Sequence, residues 1–334
     1  MPEQTIPPYA HPTTVVMVDD NDMFLQTLDL RMPADMAYLL FHNPREALNQ
    51  LNQRPTLAPI SDRCISAASI KPMSDAGIRL DVSLIEEEIH NMGRFRRISV
   101  VIVDYAMPSM NGLEFCDQIA NPGIKTILMT GASDEQLAVD AFNEGRVDQY
   151  VPKSRRNTLE LVIDGARQLQ IEYFFDQQRA IQEALAIDPP AMLCDPVVTE
   201  YFVKLRSRYR FVEHYLVDDP PGFVLLTGQG AQFRLLVLRD SEVTQQVEYA
   251  ARRGAPLDVV QAIATRSRIG FFVDCAESWP EEPYPWHDFL FEPTLLQGKQ
   301  KWWVALIDGG PSNIDFDPEV SSFQAYLDEL DSRI

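Results

Sequence analysis

Five short apolar runs, Thr14–Val18, Ala37–Phe41, Val100–Val103, Thr126–Met129 and Gln149–Val151, alternate with amphipathic stretches at 22–32, 44–52, 112–120, 134–144 and from 157 onward. Short apolar runs separated by helical periodicity are the pattern of βα units wound around a parallel sheet. The pattern therefore predicts an α/β domain, doubly wound about a five-stranded parallel sheet. Residues 1–13, polar and proline-bearing, read as a flexible tail. The interval between the second helix and the third strand is too long for a connection, so about 53–98 reads as an insertion at the sheet edge. Within it VSLIEEEIHNM (82–92) has helical amphipathicity. The insertion is either a variable loop or an element for partner docking or dimerisation.

From Asn157 apolar residues recur every three or four positions to Leu185, and Pro189-Pro190 stops the pattern. This predicts one long helix over 157–188, ending the first domain at about 175 and linking it to the next. A helix of roughly 40 Å exceeds what one small domain covers, so its second half must pack on the C-terminal domain or on another subunit. Residues 199–334 follow a different grammar. A helix at 199–207 precedes strands at 211–217, 223–227 and 233–238, joined by DDPPG and GQGAQ. Turns this short pair strands antiparallel. Helices at 241–252 and 256–266, an apolar run at 269–273, a strand at 301–307 and a helix near 318–330 complete a smaller α+β domain with an antiparallel sheet.

Composition narrows the function. Apolar residues make up 46% of the 334 residues and charged ones 23%, the balance of a globular protein. Against 29 Lys and Arg stand 49 Asp and Glu, a net charge of −20 that the two halves share evenly. A polyanion is repelled by phosphate backbones and anionic lipid, so DNA is disfavoured as a partner. Cys64, Cys116, Cys194 and Cys275 form no Cys-x-x-Cys pair, which argues against zinc or a disulfide framework. Without a signal-like N-terminus or an apolar run of membrane-spanning length, the expectation is a cytoplasmic protein without a membrane anchor.

The chemistry-bearing residues of the first domain fall at the C-terminal ends of strands, where doubly wound sheets place their sites. VVMVDD puts Asp19 and Asp20 there, VVIVDYAMPSMNG puts Asp104, ILMTGAS puts Thr130, and DQYVPKS puts Lys153 just beyond the fifth strand. Converging carboxylates repel unless a cation neutralises them, and oxygen-only donors suit Mg²⁺. Taken alone, Asp19 or Asp20 reads as a helix cap near Asn21, Thr130 as a cap before Asp134, and Tyr150 as a half-buried aromatic. His11, His42 and His90 lack ligand partners at metal-binding spacing and read as surface or core histidines.

The set of an Asp pair, a single Asp followed by Met-Pro-Ser-Met-Asn-Gly, a Thr and a Lys, in that order, resembles the receiver domain of two-component response regulators over residues 14–175. The resemblance implies a flavodoxin-like fold, with Asp104 as phosphoacceptor. Asp19, Asp20, Asp104 and the backbone carbonyl of Ala106 would hold Mg²⁺. Lys153 and Thr130 would contact the phosphoryl oxygens, and Thr130 and Tyr150 would form the switch. It also implies a sensor histidine kinase or phosphotransfer protein as partner, a homodimer, and no enzyme activity beyond the receiver's own phosphorylation chemistry. Two departures stand out. Lys153 follows Pro152 where many receivers have Lys-Pro, and the positions that tune dephosphorylation are Ala106 and Ala132, neither able to orient water. A long-lived acyl phosphate is expected.

The second domain carries no recognition helix, phosphate loop or paired metal ligands. Arginine clusters at 206–210, 252–253 and 266–268 read as solvated faces or as phosphate contacts. Gly228-Gln229-Gly230 reads as a hairpin turn, and the four tryptophans read as packing. The segment 213–240 is similar to the C-terminal block of orphan response regulators, and the layout of an enlarged insertion with a non-DNA-binding output is similar to that of the α-hydroxyketone quorum-sensing response regulators. The resulting expectation is a non-classical output that acts by dimerisation or binding a protein target. The alternative is an output that binds nucleic acid or a nucleotide. An output enzyme built on His214, Asp218 and Asp219 is the weakest reading.

Overall fold

The computed structural model describes residues 5–53, 60, 82–185, 191–272, 285–309 and 316–332, with side chains omitted for 178–185. Its first element, β1 (Tyr9–Ala10), already departs from the expected tail. Tyr9 and Ala10 pair with a strand of the second sheet, and the side chains of Ile6 and Tyr9 are buried. Two apolar anchors and a short ladder fix a segment that its prolines suggested was mobile.

The parallel sheet is formed by β2 (Thr14–Val18), β3 (Tyr38–Phe41), β4 (Ile98–Asp104), β5 (Lys125–Thr130) and β6 (Gln149–Pro152), in the order β3-β2-β4-β5-β6. The order reverses between β2 and β4, and a doubly wound sheet opens its ligand crevice at that reversal. Between the strands run α1 (Asp22–Asp29), α2 (Pro44–Leu51), α3 (Ser83–Glu87), α4 (Gly112–Asp117) and α5 (Glu135–Asn143); α6 (Thr158–Leu185) follows β6. Successive strand side chains face opposite ways. Val16, Val18, Val101, Val103 and Leu128 thus join one buried cluster, and Val15, Met17, Val100, Ile102 and Ile127 join the other.

α6 is continuous over 28 residues, as its periodicity predicts. As far as Asp176 it is tied to its own unit: Arg167 pairs with Asp35, Gln170 donates to Thr13, and Lys125 pairs with Asp176 at 2.5 Å. Tyr173 and Phe174, in its second half, are buried, with the Phe174 ring against His11; the side chains of 178–185 lie outside the described residues, as do 54–59 and 61–81 of the insertion.

The second sheet is antiparallel: β1, β7 (Phe211–Asp218), β8 (Pro221–Thr227), β9 (Gln232–Arg239), β13 (Lys301–Asp308) and β12 (Thr294–Gln297), in that order. α7 (Pro196–Tyr209) precedes it, while α8 (Asp240–Arg252) and α9 (Leu257–Ala264) follow β9. A small ladder, β10 (Ile269–Gly270) with β11 (Leu290–Phe291), lies apart. The apolar run expected at 269–273 is a strand only at its start, and Phe271 and Phe272 turn into the core beside Trp286. Trp302 is buried and donates its indole N–H to Asp195 at 2.8 Å, which supports the packing reading.

The chain divides into two compact units, His11–Ser61 with Met92–Ala180 and Tyr326–Ile334, and Met1–Ala10 with Asp62–Asn91 and Ile181–Ala325. Two expected boundaries move. The described end of the insertion, α3 and the turn after it, packs on β7 in the second unit rather than on the receiver sheet's edge, because Ile85 and Ile89 bury their side chains completely. The C-terminal helix is broken at Ser322 into α10 (Pro318–Ser321) and α11 (Phe323–Asp331). From Tyr326 onward α11 counts with the first unit: the Tyr326 hydroxyl meets Thr14 Oγ1 at 2.8 Å and Arg96 forks onto Glu329 at 2.7 and 2.8 Å.

Candidate phosphoacceptor site

β2 and β4 end side by side, bringing Asp19, Asp20 and Asp104 together with one oxygen of each within 4.8 Å of the others. Asp19 is fully buried, Asp104 nearly so, and Asp20 is exposed. From the end of β6 the Lys153 ammonium reaches both buried carboxylates, at 2.6 Å from Asp19 Oδ2 and 2.8 Å from Asp104 Oδ1. Burial holds the Asp19 carboxyl above its usual range, against the opposing pull of the Lys153 hydrogen bond.

Local chemistry sets the frame. Neither Asp19 nor Asp20 caps α1. Asn21 does, its side chain accepting from Phe24 N at 3.1 Å, while Asn21 N donates to Asp19 Oδ1 at 2.9 Å. The Met-Asn-Gly run after Asp104 has two separate reasons. Asn111 caps α4 in a reciprocal box with Glu114. Gly112 lies so close to β4 that a Cβ there would stand 2.6 Å from the Asp104 carbonyl oxygen and 2.7 Å from Leu128.

Thr130 ends β5, the strand beside β4. Its side chain is completely buried and its hydroxyl has no hydrogen-bond partner among the described residues; it caps no helix, since α5 begins after Asp134. A buried unpaired hydroxyl is costly, and one at a strand-end crevice suits a ligand oxygen. Lys153 N donates to the Thr130 carbonyl at 2.8 Å, which fixes the two chain segments together. Tyr150 is half-buried, its ring centroid 6.0 Å from that of Phe142 in an edge-to-face pair. Ala106 and Ala132 are exposed. Sequence reasoning missed Asn21 as the cap and the position of the Phe24 ring, 4.8 Å from Lys153 Nζ. The Asn-Asp start of α1 was a signal for the cap; nothing local signals the ring.

The donor set fits a small hard cation, since three carboxylates converge where one lysine offsets only part of their charge. Elsewhere the candidates separate. His214 is buried, with Nε2 at 2.9 Å from the Pro7 carbonyl oxygen, whereas Asp218 and Asp219 are exposed, so no joint site forms. Among the clustered arginines, Arg266 is paired with Asp240 at 3.0 Å and Arg268 lies 3.7 Å from Glu292. Gly228 and Gly230 lie in the β8–β9 turn, where Gly230 adopts a φ of 82°. Arg234 is buried beneath Phe271, and burial draws its guanidinium down to about 10. No helix among the described residues is long and apolar enough to cross a membrane.

Residues 73–164 match the response regulator receiver domain family. Comparison with curated protein sequences gives no match. Among solved structures, the Legionella pneumophila response regulator LqsR is 31% identical, aligned over 99% of this chain and 98% of that one, with a TM-score of 0.76. An adenylate cyclase from Rhodopirellula baltica and the signal receiver domain of an HD domain-containing protein from Pseudomonas fluorescens Pf-5 are each 19% identical. They cover 50% and 49% of this chain, and 96% and 98% of their own, at TM-scores of 0.34 and 0.31. With its strand-end aspartates, its lysine and this match along the whole length of LqsR, the chain belongs to the response regulators.

Proposed function

We propose that Asp104 is the phosphoacceptor. One of its carboxylate oxygens attacks the phosphorus of a phosphohistidine on a histidine kinase or phosphotransfer protein. The P–N bond breaks, the imidazole leaves with its electron pair, and an acyl phosphate forms. The observation that carries this reading is the Lys153 ammonium held 2.6 and 2.8 Å from Asp19 and Asp104 at one strand edge. Phosphoryl transfer is largely positioning and neutralisation of the transferred oxygens. Lys153 supplies a fixed positive charge, and the unpartnered Thr130 hydroxyl offers a donor. Asp19, Asp20, Asp104 and the Ala106 carbonyl would hold Mg²⁺, which when bound supplies charge neutralisation for the carboxylates and the phosphoryl oxygens. Once Thr130 turns to a phosphoryl oxygen, Tyr150 moves inward, and this pair is the bistable element. Exposed Ala106 and Ala132 carry no group to orient water, which favours a slowly hydrolysed phosphoryl group.

The test is phosphorylation of the full chain by acetyl phosphate with Mg²⁺: one base-labile phosphoryl group on Asp104, absent from Asp104→Asn and lost slowly. For the second unit the reading is output through dimerisation or binding of a protein target, supported by the net charge of −20 and by the paired Arg266. Light scattering should then detect a change in association state on adding beryllofluoride with Mg²⁺, and an unchanged mass argues for a heterologous target.

A further inference from the structure

We infer that Phe24 is a positioning residue for Lys153, bracing the ammonium that bridges the two buried aspartates; the inference rests on the reading of Asp104 as phosphoacceptor. Lysine carries its charge on a flexible four-carbon stem, and the Lys153 side chain is 24% exposed. Its ammonium donates to Asp19 Oδ2 and is ion-paired with Asp104 Oδ1, which leaves N–H donors for an entering oxygen. The Phe24 ring lies 4.8 Å from Nζ, within the range at which an aromatic face attracts a cation. It therefore both attracts the ammonium and limits the volume the stem can sweep.

The ring is itself held. Asp19 Oδ1 accepts from Asn21 N, Asn21 Oδ1 accepts from Phe24 N, Phe24 faces Lys153 Nζ, and Lys153 Nζ returns to Asp19 Oδ2. These contacts form a closed circuit, so the start of α1 sets the place of a side chain from the far end of β6. The Phe24 ring also packs against the buried cluster of Val15, Met17 and Leu25, which leucine would fill in its place.

The test compares the full chain with Phe24→Leu and Phe24→Tyr in phosphorylation by acetyl phosphate. Phe24→Leu should be labelled on Asp104 about 3- to 10-fold more slowly at an unchanged melting temperature, and Phe24→Tyr, which restores a ring, should recover most of the rate. In NMR spectra of lysine-labelled protein, the Lys153 ε-methylene, assigned by its loss in Lys153→Arg, should show a ring-current shift that Phe24→Leu abolishes and Phe24→Tyr keeps. A wild-type rate in Phe24→Leu, equal slowing in both variants, or a shift indifferent to the ring overturns the inference while leaving Asp104 as acceptor. A wild-type protein that takes no label overturns the reading beneath it.

Discussion

His214 and Asp104 are both buried, His214 against the Phe202 and Phe223 rings and Asp104 beside Lys153, and their surroundings give them different tasks. Burial, helped by the nearby Arg206 charge and opposed by the Pro7 carbonyl, pushes the His214 imidazole down from 6.5 to about 3. The unfolded chain takes up a proton below about 6.5 that the folded chain refuses down to about 3. Stability is therefore fully present above the unfolded value and falls as the pH drops through that window, by up to about 1.4 kcal/mol per pH unit. Urea unfolding between pH 6.5 and 4 should show His214→Phe losing stability less steeply than the wild type, by one proton's worth of slope; parallel slopes would count against the assignment. At this scale Asp19, Asp20, Asp104, Thr130 and Lys153 were legible in the sequence because each ends an apolar strand run. The Phe24 ring was not, because its role depends on where α1 meets the end of β6.

The five parallel strands and their helices were legible as elements because period and length agree along each one. β1 was not. Its two residues carry no period, and what fixes them is distant in sequence: the ladder to β7, the Ile6 amide bonded to Leu193 and the Leu216 amide bonded to Pro8. Tyr9 is 2% exposed on that strand, so Tyr9→Ala should destabilise the protein by about 3 kcal/mol, read by denaturant unfolding. A cost within about 0.5 kcal/mol would mean that the segment behaves as a tail after all. α11 was similarly opaque. Its sequence reads as one terminal amphipathic helix, and only the pairing of Tyr326 with Thr14 and of Glu329 with Arg96 assigns its end to the unit with the parallel sheet. β12 was overlooked because Thr294–Gln297 is too short and too exposed to show alternation.

At the scale of the whole molecule, three carboxylates and one lysine concentrate charge at one sheet edge, while the remaining acidity is spread over both units. The net charge of −20 weighs against nucleic acid, and on the proposed reading the site cluster would take a cation and a phosphoryl group. The units themselves interleave in sequence, since the first ten residues and the end of the insertion count with the antiparallel sheet. No local pattern announces such an exchange, which depends on long-range burial of Ile6, Tyr9, Ile85 and Ile89. Asp104 is the proposed acceptor of the phosphoryl group. Mass spectrometry of the intact full chain after acetyl phosphate and Mg²⁺ treatment should show one added phosphoryl group, mapped to Asp104, missing from Asp104→Asn and strongly reduced in Lys153→Met. A chain that takes no label, or one that keeps its label in Asp104→Asn, would contradict that assignment.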